Sequence, residues 1–177
     1  MGGRTRGRKI ISNGVDKKMK KEFGKALHTH MQKDENIWLV TADLGFGALD
    51  DIFNDFPKRA INTGAAEAAA MGIAVGLAMQ GKIPVFYSIT PFALWRPAET
   101  IRLYVNGEQI PVKIVGVGRD KDYAHDGPSH DATDAKELLK CWPNIQQYWP
   151  DRVEYIDEVV KYMLYNDKPS FLSLRRN

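Results

Sequence analysis

The sequence predicts an α/β domain, a mostly parallel sheet held between two layers of helices. Three observations predict it. Short apolar runs of strand length alternate with helical segments along the chain. Strands separated by helices need crossovers, which make a parallel sheet covered on both faces. With 177 residues, 44% hydrophobic and 27% charged, the chain suits one ordinary domain with a single core.

The elements follow in order. Residues 17–33 are amphipathic, with Met19, Phe23, Ala26, Leu27 and Met31 at helical spacing. IWLVTA, 37–42, reads as a buried strand. Residues 43–57 read as a loop and a short helix that stops near Pro57, and 60–62 as a short strand. Gly64 to Met79 reads as a helix closed by Gln80-Gly81. IPVFYSI, 83–89, is strand-like. Residues 90–107 begin with Thr90 as N-cap and Pro91 at the first position, and Pro97 kinks or divides the helix. A strand at 111–118, a long polar loop at 119–134, helices at 134–142 and 157–166, and a strand at 170–175 complete the chain. No internal repeat is present. Ligands of such sheets sit beyond the carboxyl ends of the strands, which places Asp43–Gly47, Asn62–Gly64, Thr90–Phe92 and the 118–134 loop at the expected site.

The net charge of +3 is mild. Part of it lies in a leader, 1–16, where Arg4, Arg6, Arg8 and Lys9 stand among glycines. No aromatic residues interleave them for base stacking, so the expectation is a flexible, solvated arm rather than a nucleic-acid contact. Cys141 is the only cysteine, which excludes an intramolecular disulfide and suits a reducing compartment. The basic start is not followed by an apolar run of signal length. The longest apolar stretch, Ala68 to Met79, is too short for a bilayer of about 30 Å. The expected location is the cytoplasm, with no membrane partner.

Glu67 is the one charged residue of GAAEAAAMGIAVG, residues 64–76. An acid in the first turn of a helix can simply favour the helix dipole. It can also be a buried carboxylate facing a ligand, and a buried acid must be neutral, paired or hydrogen-bonded. The 119–134 loop holds Asp120, Asp122, His125, Asp126, His130, Asp131 and Asp134, but their spacing fits no recognised metal template.

The stretch NTGAAEAAAMGIAVGLAMQGKIPVFYSITPF resembles the pyrimidine-binding domain of thiamine diphosphate enzymes of the transketolase group. TADL (41–44), DGPSH (126–130), PNIQQYWPD (143–151) and PSFLSLRR (169–176) match further family segments in the same order. The resemblance covers 17–177. It implies that Glu67 hydrogen-bonds the ring nitrogen of the cofactor's aminopyrimidine and shuttles a proton that activates the thiazolium carbon. It implies cofactor contacts at Asp43, Leu44, Tyr87 and Phe92, with Phe92 stacking on the ring; plain core packing is an equal reading of Tyr87. Asp126 and His130 match positions that face substrate, and Arg176 and Lys17 match or replace arginines that hold a substrate phosphate.

The chain departs from the family pattern in two places. A histidine of the family stands at Gly118 here, and a serine at Gly47. These changes bear on the sugar, not on cofactor activation. Trp95, Arg96 and Glu99 either line the pocket or pack at a subunit contact. The Gly-Asp-Gly segment through which the family binds diphosphate and magnesium is missing. The resemblance therefore implies a split enzyme. A second subunit would carry the diphosphate and Mg2+ ligands, in an α2β2 assembly or around a homodimer of this chain. The expected reaction is transfer of a two-carbon ketol unit between sugars. A 2-oxo acid decarboxylase subunit, or one similar to deoxyxylulose-phosphate synthase, is the alternative. A non-catalytic scaffold is the reading of another class, and a lone acid in an apolar segment argues against it.

Overall fold

The computed structural model describes residues 17–176. The expected leader, 1–16, and the side chain of Lys17 lie outside the described residues. Six strands form one sheet: β1 (Ile37–Thr41), β2 (Ala60–Asn62), β3 (Ile83–Ile89), β4 (Lys113–Val117), β5 (Gln146–Tyr148) and β6 (Ser170–Leu174). Their order is β2-β1-β3-β4-β6-β5, and every pairing is parallel. The helices are α1 (Lys17–Lys33), α2 (Asp50–Asp55), α3 (Glu67–Met79), α4 (Thr90–Trp95), α5 (Ala98–Thr100), α6 (Ala135–Lys140) and α7 (Ile156–Tyr165).

Alternation along the strands builds two cores. Leu39, Val85, Tyr87, Val115 and Leu172 face α1 and α7, where Phe23, Leu27, Val160 and Met163 are buried. Val40, Phe86, Ile114 and Phe171 face the other way, against Met71 and Ala74 of α3, Leu94 of α4 and Leu139 of α6. Each fully buried Leu or Phe stabilises the fold by about 1.5–3 kcal/mol. The five periodic residues predicted for α1 are all buried.

Two details differ from the sequence expectation. The segment at 143–151, not assigned as a strand from the sequence, contains the edge strand β5, in register with β6 through Gln146–Ser170 and Tyr148–Leu172. Its residues are polar and not fully buried, so backbone pairing rather than hydrophobic pattern makes the strand. Thr90 does not cap α4. It is the first helical residue, no side-chain cap bond forms, and its buried hydroxyl has no partner among the described residues. The helix at 90–107 is divided at Pro97, one of the two outcomes expected there: α4 ends before Pro97, and α5 runs into a π-helical turn at Ile101–Gly107.

Two features position the site. The chain goes from β1 to β2 on one side, then to β3 on the other, so a crevice opens at the carboxyl ends of β1 and β3. α3 packs over both strands with its N-terminus at that edge. The loop after β1 rests directly on α1, where a Cβ at Gly24 would collide with the Ala48 carbonyl. Among the described residues, no helix is long and apolar enough to cross a membrane.

Candidate functional site at the carboxyl edge of the sheet

Glu67 is the first residue of α3 and is 3% exposed. It is therefore not a solvated helix-start acid. Its Oε2 accepts a hydrogen bond of 2.6 Å from Nη1 of Arg96, which stands just after α4. The helix N-terminus and the guanidinium together compensate the charge. The same guanidinium lies over the Phe92 ring, 3.8 Å from its centroid. Glu67, Arg96 and Phe92 thus form one compact group above the crevice.

The row continues along the edge. Phe92 meets the His130 ring edge-on, with centroids 4.8 Å apart. His130 lies 6.3 Å from the Tyr123 ring, and Arg176 covers that ring at 4.6 Å. Arg176 also donates to the Asp122 carbonyl and reaches the His125 ring at 2.8 Å. The 119–134 loop holds His130 through two short 3-10 turns, 124–126 and 128–130, with Ser129 Oγ 3.1 Å from His130 Nδ1. Asp126 is exposed and pairs with His125 at 3.3 Å. Among the described residues, no three His, Cys, Asp or Glu side chains converge as a metal site. A hydrogen bond from Thr133 to Asp131 holds that carboxyl below its usual range.

The remaining predicted residues sit apart from this row. Tyr87 is on the opposite sheet face, stacked on Phe23 at 5.7 Å. Burial raises its phenol well above the usual range, so it stays neutral. It also lines a cavity of about 170 Å³ with Lys20, Leu44, Phe46, Val117 and Tyr123. Asp43 and Leu44 follow β1. Asp43 has a left-handed backbone, φ 52°, and its N–H donates to Asn62 Oδ1, which also receives the Gly64 N–H. Asn62 thereby ties the ends of β1 and β2 together. The Thr41 hydroxyl donates to the Leu44 carbonyl.

Three contributors were not identified from sequence alone. Arg96 was one of three undecided residues on its helix. Tyr123 carries no motif, yet its ring fills the space above Gly118. Burial raises its phenol, against the opposing charge of Arg176. Lys20 is half-buried, and burial together with Arg176 lowers its ammonium. The helical period of α1 shows Lys20 beside the buried Met19, but not that it points to this edge.

Fold and edge define the class: a parallel α/β domain whose polar groups gather where the strand order reverses. The chain belongs to the transketolase family through its pyrimidine-binding domain, whose model matches residues 16–177. The 6-deoxy-6-sulfo-D-fructose transketolase subunit SqwH of Clostridium sp. (strain MSTE9) is 30% identical over 83% of this chain and 46% of its own length. An apulose-4-phosphate transketolase subunit of Actinobacillus succinogenes is 28% identical over 68% of this chain and 39% of its own. A solved structure described as a split gene transketolase, inactive beta4 tetramer, superposes with a TM-score of 0.79 at 30% identity. It is matched over 90% of this chain and 51% of that one. The chain spans about half the length of the curated relatives it matches.

Proposed function

We propose that this chain is the pyrimidine-binding subunit of a thiamine diphosphate-dependent transketolase, transferring a two-carbon ketol unit between sugars. The observation that carries the reading is Glu67: a carboxylate 3% exposed at a helix start, beside an aromatic face at the switch point. The residues fit the aminopyrimidine. A buried acid and the Phe92 ring now engage one flat cationic group, and a flat nitrogen heterocycle makes the same two demands. When bound, the cofactor supplies an acidic thiazolium carbon and an electron-accepting ring. Glu67 would hold the pyrimidine nitrogen and move a proton at its carboxylate, in surroundings that exclude water. Phe92 gives the ring one face. Asp43 and Leu44 close the β1 side of the pocket, and Tyr87 supports it from beneath.

His130 and Asp126 face the sugar. The anionic end of the substrate lies toward Arg176 and Lys20, whose mutual repulsion an anion relieves. Two relatives are named for sugars bearing sulfo and phosphate groups, which agrees with an anionic substrate.

Diphosphate and magnesium are held by a partner chain, a reading supported by relatives named as transketolase subunits and by a similar structure described as a split gene transketolase. The outer face of α3 supports a partner: Ala68, Ala69, Gly72, Ile73, Gly76 and Met79 are all exposed. Nothing lies within 4 Å of a Cβ added at Gly72 or Gly76, so nothing within the described residues requires these helix-weakening glycines. Close approach of a second helix does. The assembly is an α2β2 pair, in the cytoplasm.

The test is reconstitution with the chain that carries Gly-Asp-Gly, adding thiamine diphosphate and magnesium and screening ketose donors against aldose acceptors. Ketol transfer that needs both chains supports the reading. Decarboxylation of 2-oxo acids without ketol transfer replaces it with the alternative.

A further inference from the structure

We propose that Arg96 is a built-in occupant of the pyrimidine position, holding Glu67 and Phe92 in the unpartnered chain and swinging out when the cofactor's ring enters. The inference rests on the cofactor reading above. Its basis is that one side chain makes both contacts the ring would make. Nη1 of Arg96 is 2.6 Å from Glu67 Oε2, and the guanidinium carbon is 3.8 Å from the Phe92 centroid. A guanidinium is flat, delocalised and rich in N–H donors. It therefore imitates a flat nitrogen heterocycle that stacks on an aromatic and bonds a carboxylate. Two plates cannot share that face of Phe92, so guanidinium and ring compete.

The burial of the two partners says which one moves. Glu67 is 3% exposed and fixed in the first turn of a long helix, whereas the Arg96 side chain is 45% exposed. Arg96 can return to water by changing rotamer. Glu67 cannot, and without a partner it would be a buried, uncompensated charge. The backbone allows the swing, because Arg96 follows the last turn of the six-residue α4 and Pro97 separates it from α5. Until the ring arrives, Arg96 keeps the acid paired. Once Arg96 leaves, the ring inherits both contacts, so the chain never exposes a bare carboxylate in an apolar crevice.

The test uses the full chain alone and one probe, 4-amino-2-methylpyrimidine, which has neither thiazolium nor diphosphate. Binding is followed by NMR of a selectively labelled Phe92 ring and the Glu67 side-chain carboxyl. Arg96→Ala is expected to bind the probe about tenfold or more tightly than wild type, since an occupied site keeps only its free fraction of the intrinsic affinity. Arg96→Lys keeps the charge without the plate and should fall between the two. It also gives a reading if Arg96→Ala folds poorly. Equal affinity in all three, abolished by Glu67→Ala, overturns the proposal and leaves the pyrimidine site standing. No binding by any of the three overturns both.

Discussion

Tyr123 occupies the space that any side chain at Gly118 would need. Gly118 follows β4 with a left-handed backbone, φ 85°, and a Cβ there would run into the Tyr123 ring. The family resemblance places a histidine at this position, and the structure explains the glycine. The ring that fills the place comes from five residues further along, under the guanidinium of Arg176.

Gly118→Ala should therefore lower the unfolding free energy by about 1–3 kcal/mol, through backbone strain and displacement of the ring. Urea denaturation measures it. Adding Tyr123→Ala should recover the collision part and leave the strain, a coupling that a double-mutant cycle reads directly. Additive losses would mean the two residues do not share the space.

Lys113 starts β4 at the opposite edge of the sheet. It is 1% exposed and donates to the carbonyls of Asn166 and Lys168 and to the Asn166 side chain. Burial pushes its ammonium down to about 8, with Asp167 opposing. Above that value the unfolded chain, titrating near 10.5, binds more protons than the folded one. This group's contribution to stability therefore rises with pH from about 8 until the unfolded lysine titrates. Between about pH 7.5 and pH 9.5 the rise should be on the order of 1 kcal/mol. Lys113→Met should flatten it. Buried tyrosines such as Tyr87 act in the opposite sense only above their unfolded value of 10.0, beyond this window. An identical slope in both proteins would mean that Lys113 is charged in the folded state throughout.

The order of elements was legible because period and punctuation agree. Met19 to Met31 repeat at helical spacing, and IPVFYSI has a strand's composition. β5 was not legible, because Gln146 and Gln147 join the sheet through main-chain bonds that leave no mark on side-chain pattern. Glu67 stood out because a charge among small apolar residues requires an explanation. Arg96 did not, since an arginine beside a tryptophan and a proline is ordinary until its distance to Glu67 is known. Tyr87 was read equally well as a pocket or a core residue, and it packs in the α1 core while touching a cavity.

The outer face of α3 gives a prediction about assembly. Gly76→Leu should leave the lone chain as stable or slightly more so, because nothing crowds that position and glycine weakens a helix by about 1 kcal/mol. The same change should block close approach of a partner helix. Thermal melts of the single chain and sedimentation of the mixture with the partner separate the two effects. Unimpaired assembly would move the interface elsewhere.

Asp126→Ala and His130→Ala should reduce turnover while leaving cofactor uptake near wild type, since the proposed function has both face the sugar rather than the pyrimidine. His130→Ala also removes the ring against Phe92, so its effect should be the larger. Steady-state kinetics beside a cofactor titration of the reconstituted enzyme tests this. Wild-type kinetics in both variants would make the loop purely structural.

Glu67→Gln tests the proposed proton transfer most directly. Glutamine keeps the shape and one hydrogen bond to Arg96 but cannot exchange the proton. The assembled enzyme should still take up thiamine diphosphate, because the proposed tether lies with the partner. Turnover should fall by roughly 10²- to 10⁴-fold. The decisive measurement is deuterium exchange at the thiazolium carbon, quenched in acid and read by NMR, which isolates this proton transfer from sugar binding. Exchange slowed in step with turnover is the predicted result. Exchange as fast as in the wild type would contradict it and return Glu67 to a structural ion pair with Arg96.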